Sequence, residues 1–141
     1  MAHLDLEKLL NALLPFAQQM LATHGQFFPF GATVNREGAV AMANVFDGDE
    51  HPLAQTVVDH MTEAFKSDAA AGEIRAAAIC YDGRVIPPDE TDKCDAVCVG
   101  LEHESGEAAD VFLPYRKKLR GYKYGDLFGT RRSPQFFLKQ P

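Results

Sequence analysis

Apolar residues recur at helical spacing from the start of the chain. Leu6, Leu9, Leu10, Leu13, Phe16, Ala17, Met20 and Leu21 share one side of a helix. His24-Gly25 closes it, glycine being favoured just past a helix end. Pro15 falls inside the pattern and removes the bond from its nitrogen back to Asn11, which predicts a kink or two shorter helices. Two strands follow, Gln26 to Val34 and Ala39 to Phe46, joined by Asn35-Arg36-Glu37-Gly38. Pro29 cannot donate to a ladder, so the first strand is expected at a sheet edge or bulged there. Leu53, Ala54, Val57, Val58, Met61, Ala64 and Phe65 then mark a second amphipathic helix, ending near Gly72. Pro52 suits the first helical position, which makes His51 or Glu50 the expected cap.

The stretch from Glu73 to Arg116 reads as three consecutive strands: Glu73 to Tyr81, Cys94 to His103 and Ala108 to Tyr115. Asp82-Gly83 is turn chemistry that ends the first of them, and Val85 to Lys93 is a polar loop containing Pro87-Pro88. Ser105-Gly106 predicts a two-residue hairpin loop, with Val99 facing Phe112 and Cys98 facing Leu113. In that register one face carries Ala96, Cys98, Gly100, Val111, Leu113 and Tyr115, and the other Val97, Val99, Leu101 and Phe112. Neither face is polar, so both need covering by helices or by a partner chain. Val97, Val99, Leu101 and Phe112 form the stripe expected to stay open, and with it a homodimer interface.

The expected architecture is α+β, a five-stranded, mainly antiparallel sheet with two main helices in the order α-β-β-α-β-β-β. The chain of 141 residues fits one domain, with 46% hydrophobic and 24% charged residues arguing against disorder. No apolar run approaches the roughly 20 residues of a membrane span, so no membrane contact is expected. Asp5 and Glu7 stand where a secretory signal has positive charge, and an odd cysteine count suits a reducing compartment; both point to the cytoplasm.

Charge divides the chain sharply. From Pro114 onward the net charge is +7, against −13 before it, which together give the overall −6. The basic residues Arg116, Lys117, Lys118, Arg120, Lys123, Arg131, Arg132 and Lys139 interleave with Tyr115, Tyr122, Tyr124, Phe128, Phe136 and Phe137. Residues 1–120 are therefore expected as the body, with 121–141 a basic aromatic extension docked on acidic protein surface. Tyr122 and Tyr124 are spaced to anchor it, with Lys123 in solvent. Single-stranded nucleic acid is the competing ligand for such a pattern, but the acidic body would repel phosphates.

Candidate chemistry is sparse. Neither a nucleophile motif nor a phosphate or dinucleotide loop is present. His60, beside Asp59 and three residues before Glu63, is the one acid–base candidate; otherwise it stands on a solvated helix face. Asp47, Asp49 and Glu50 do not follow calcium-loop spacing, and suit a helix N-terminus instead. Cys94 and Cys98 share a strand face but stand about 13 Å apart at 3.3 Å per residue, too far to share zinc at bonds of about 2.3 Å. No metal and no cofactor are expected, and the cysteines read as small core residues. Phe27, Phe28 and Phe30 read as packing at the end of the first helix.

Gly25-Gln26-Phe27-Phe28-Pro29-Phe30-Gly31-Ala32, Ala71-Gly72-Glu73-Ile74-Arg75-Ala76-Ala77-Ala78 and Val111-Phe112-Leu113-Pro114-Tyr115-Arg116 resemble segments of small uncharacterised bacterial proteins. The element order also resembles roadblock and profilin-like domains. Neither resemblance implies an activity or a site. The expectation is thus a non-enzymatic binding or adaptor protein working through protein–protein contacts. The alternatives are a small enzyme using His60 or Asp49, and a nucleic-acid binder using the basic segment.

Overall fold

The computed structural model describes residues 2–44 and 53–138. Phe46, the acids Asp47, Asp49 and Glu50, the expected cap His51 and the basic Lys139 lie outside the described residues. The elements are α1 (Ala2–His24), β1 (Phe30–Asn35), β2 (Val40–Ala43), α2 (Ala54–Ala70), β3 (Ile74–Val85), β4 (Cys94–His103), β5 (Ala108–Lys117), β6 (Tyr122–Tyr124) and β7 (Phe128–Arg131). The strands form one antiparallel sheet in the order β2-β1-β3-β4-β5-β6, with β7 beside the other half of β5. The fold is α+β, and its sheet is larger than the five strands expected, because the stretch after Gly121 contributes β6 and β7.

The helices sandwich the sheet. Leu9, Leu13, Ala17 and Leu21 of α1 are buried on Ala32, Val34, Ala76, Ala78, Cys80, Val97, Val99 and Leu101. Val57, Met61 and Phe65, one α2 stripe at four-residue spacing, pack on Ile74, Ala77 and Ile79 of the opposite face. Ala76, Ala77 and Ala78 have no exposed surface, and their small side chains let a helix approach β3 closely from either side. Gly31 serves the same end: a Cβ there would lie 2.6 Å from the Ala78 carbonyl oxygen and 3.0 Å from the Phe65 ring. Phe16 and Phe27 both pack their rings against Phe30, as expected at the end of the first helix for Phe27 and Phe30, whereas Phe28 is exposed.

The β4–β5 register differs from expectation by one residue. Val97 faces Leu113, Val99 faces Val111 and Cys98 faces Phe112. Glu104-Ser105-Gly106 is a three-residue loop, with the Gly106 amide donating to the His103 carbonyl (3.0 Å) and the His103 amide to the Glu107 carbonyl (2.9 Å). Gly106 takes φ +101°, the left-handed conformation that closes such loops. A one-residue slip exchanges the faces of a strand. Val97, Val99 and Leu101 are therefore buried beneath α1 with Leu113 and the half-buried Val111, while Phe112 stands on the α2 face against Phe128. The four-residue open stripe does not exist.

Other boundaries also moved. β3 runs on through Asp82 and Gly83, which pair with Val97 and Ala96. Asp82 accepts a bond from the Tyr115 hydroxyl (2.8 Å), and a Cβ on Gly83 would lie 2.9 Å from the Cys98 sulfur, so this glycine makes room in a strand. Pro29 precedes β1, which is an inner strand between β2 and β3. α1 continues through Pro15 as one helix. At the start of α2 the capping position is Leu53, whose side chain offers no cap bond.

One buried tie joins α1 to the sheet. Val34 pairs with Ala76 but Asn35 with Ile74, so Arg75 is the extra residue of a bulge. Its guanidinium grips Asp5 through two bonds of 2.9 Å. The Ser105 amide donates to His103 Nδ1 (3.0 Å), which leaves the ring proton on Nε2 to donate to Asp5 Oδ2 (3.0 Å). Burial alone pushes the fully enclosed Asp5 carboxyl up, but the bonds from Arg75 and His103 and the Arg75 charge outweigh it. The Asp5 pKa lies below its ordinary value.

A depressed carboxyl pKa stabilises the fold above its unfolded value and stops doing so as the pH falls through the folded one. Asp5→Asn should therefore cost about 3 kcal/mol at pH 7, the scale for stranding a buried charge. The gap to the natural protein should begin to narrow as the pH drops below 3.8 and close below the lower folded pKa, where protonated Asp5 resembles asparagine. Urea unfolding at pH 7 and pH 3 measures this, and an equal gap at both would contradict the tie.

Candidate functional site

The most specialised chemistry lies on the α2 face at the β4–β5 end of the sheet. Glu102 has no exposed surface, yet its carboxylate is fully engaged by the C-terminal segment. It accepts from the Arg132 guanidinium (2.8 Å) and from the amides of Gln135 (2.8 Å), Phe136 (2.8 Å) and Phe137 (3.2 Å). Arg132 also donates through Nε to Asp110 (2.9 Å), so one guanidinium bridges two carboxylates. Gly100 gives it space, since a Cβ there would lie 3.1 Å from Arg132 Nη2 and 3.3 Å from Asp110 Oδ1. Beyond the clamp, Phe136 is buried against Phe65, ring edge to face, at 5.5 Å between centroids.

Alternation along the edge strand delivers Arg132 to this face. Tyr115 pairs with Tyr124 and Phe112 with Phe128, so three steps along β5 oppose four along its neighbour. The extra residue lies among Gly125, Asp126 and Leu127, and it reverses which side chains point to which face. Before it, Tyr122 and Tyr124 turn to the α1 face and pack on Tyr115. After it, Phe128 joins Phe112, and the Arg132 amide bonds the Ala108 carbonyl, opposite Glu102.

The basic residues do not make one surface. Arg132 is held in the clamp, and Arg116 pairs with Glu90 at 3.0 Å. Lys117, Lys118, Arg120 and Lys123 are exposed on the β5–β6 hairpin around a fully exposed Leu119, and Arg131 is exposed on β7. A groove of about 460 Å³ lies between this hairpin and the loop after β3, lined by Arg116, Lys118 and Lys123 but also by Asp89, Glu90 and Asp126.

The acid–base candidate is not assembled. His60 is exposed on α2, its neighbour Asp59 accepts from Gln55 (2.9 Å), and Glu63 faces Lys66 (3.5 Å). All three cysteines are free and buried. Cys80 faces α1 and Cys98 the other face. Burial, and then the charges of Asp82 and Asp110, pushes the Cys98 thiol up to about 12; burial raises Cys80 as well. Burial likewise raises Tyr81 to about 12 and lifts Tyr115, which also donates to Asp82. The raised values of Cys80, Cys98, Tyr81 and Tyr115 keep those four groups protonated at neutral pH.

The sequence pattern drew attention to the cations of the clamp and missed its acceptor. The signal was present: Glu102 is the one acid within the apolar run from Ala96 to His103, two residues after a glycine. Comparison with family models, curated proteins and solved structures gives no match. No helix among the described residues is long and apolar enough to cross a membrane.

Gly100→Ala should crowd Arg132 and lower stability by about 1–3 kcal/mol, the usual cost of overpacking. Most of that loss should vanish when Arg132 is already alanine. Urea midpoints of the single and double variants decide it, and an unshifted midpoint in Gly100→Ala would contradict the close approach.

Proposed function

We propose that this is a non-enzymatic binding protein acting through protein–protein contacts, and that two copies associate by pairing their β2 strands. The observation that carries the reading is the β2 edge. From Ala39 to Asn44 the chain has neither charge nor proline, and Val40 and Met42 are 38% and 49% exposed. Among the described residues the outer side of β2 pairs with no strand. Edges normally carry charges, prolines or bulges that deter pairing, and an edge without them is a template for another strand. Phe16, partly exposed on Phe30, extends the same apolar margin.

Self-pairing across a two-fold axis sets a strand against its own copy, which suits an uncharged strand. The far edge is different, because Lys123 and Arg131 there would oppose their own kind. The enzyme reading has less support, since His60 is solvent-exposed and its acidic neighbours have other partners. For nucleic acid the support is weaker, since Tyr122 and Tyr124 are half-buried and already packed on Tyr115. Three free thiols suit the reducing cytoplasm, where we expect the protein to act.

Light scattering at tens of micromolar should give the mass of a dimer, and Met42→Lys should give a monomer with an unchanged circular dichroism spectrum. A monomeric natural protein would refute the pairing, as would a dimer indifferent to Met42→Lys.

A further inference from the structure

We infer that the seat of the C-terminal segment is a peptide-recognition cleft, filled in cis by residues 132–137. The partner it fits is a segment of another protein that bends as residues 135–137 do, with an arginine four residues before a phenylalanine.

The occupant displays the chemistry of the cleft. A guanidinium lies over Gly100 between two carboxylates, Glu102 and Asp110. Three successive backbone amides converge on Glu102, and one aromatic ring enters beside Phe65. Arg132 and Phe136 are the side chains seated most deeply, and Phe137 is partly buried against the same core. Ser133, Pro134 and Gln135 are exposed or half-exposed, so the three intervening positions are free to vary.

Three features favour exchange over permanent closure. After Arg132 the segment forms no strand, and apart from the Arg132 amide on the Ala108 carbonyl its described polar attachments to the sheet converge on Glu102 and Asp110. Loss of one locus therefore frees it as a unit. A buried ion pair is a poor source of net stability compared with apolar packing, yet it discriminates strongly between occupants. An open trough of about 1140 Å³ runs alongside, bordered by Phe136, Phe137, Ala69 and Ala109, and gives an incoming chain a place to land. The two carboxylates match the positive charge of the arginine.

The cis segment competes, so a ligand in trans meets a seat that is only fractionally empty. The test uses a fluorescein-labelled peptide of residues 131–138, Arg-Arg-Ser-Pro-Gln-Phe-Phe-Leu, with the full chain. Phe136→Ala, which loosens the chain's own segment, should bind it at least tenfold tighter than the natural protein does. Adding Glu102→Gln should abolish binding, as should replacing the second arginine of the peptide with alanine. A folded Phe136→Ala protein that ignores the peptide, or binding indifferent to Glu102→Gln, would overturn the inference. So would association of Phe136→Ala with natural protein that requires Glu102, since exchange between copies would then explain the seat.

If Phe136→Ala does not fold, hydrogen exchange in the natural protein decides. The amides of Gln135, Phe136 and Phe137 should exchange at least a hundredfold faster than those of Ala78 and Val99, through local opening. Equal rates would mean that the segment leaves only on global unfolding, and would overturn the proposal. Met42→Lys should leave peptide binding unchanged, which separates this cleft from the β2 edge.

Discussion

A buried carboxylate is costly unless it is paired and hydrogen-bonded, and Glu102 meets that condition through a segment thirty to thirty-five residues away in sequence. The organisation of that end of the sheet follows from it. Gly100 leaves room for the guanidinium, Asp110 shares it, and the edge strand changes its alternation so that Arg132 arrives on the α2 face. Phe136 then completes the α2 core, which without it would lack one wall beside Phe65. The charge split along the chain has a local meaning here, since a basic residue of the final stretch is matched to acids of the preceding strands.

Asp5 is the counterpart on the opposite face. It too is enclosed, and it too is held by an arginine that a bulge redirects. The two clamps work at the same end of the sheet, one fastening α1 to β3 and β4, the other fastening the last segment to β4 and β5. Between them lies a sheet whose central strands are apolar on both sides, with alanines in β3 where both helices approach. Stability from such packing is diffuse; the clamps supply direction.

Much of this was legible in the sequence. The leucine spacing of α1, the Val57-Met61-Phe65 stripe of α2 and the two-sided apolar runs of β4 and β5 predicted both helices, the central strands and a sheet covered on both faces. What stayed hidden depends on single residues of register. Ser105-Gly106 fits a two-residue or a three-residue loop equally well, and only the conformation of Gly106 chooses; the choice moved Phe112 to the other face and removed the supposed open stripe. Asp82-Gly83 reads as a turn because nothing local shows that Cys98 will pack over the glycine from a neighbouring strand. Glu102 stood out as the one acid of an apolar run, but its partners were illegible for the same reason, since they are distant and a bulge sets the face on which they meet.

The account rests on Glu102 and Arg132 acting as one unit. A double-mutant cycle with Glu102→Gln, Arg132→Gln and both together, read by urea unfolding, isolates their interaction from the cost of each change. The structure predicts a coupling of about 2 kcal/mol, near the upper part of the range for residues in one buried network, so that the second substitution adds little to the first. Additive losses, with a coupling near zero, would mean that the buried carboxylate does not depend on the arginine and would contradict the account.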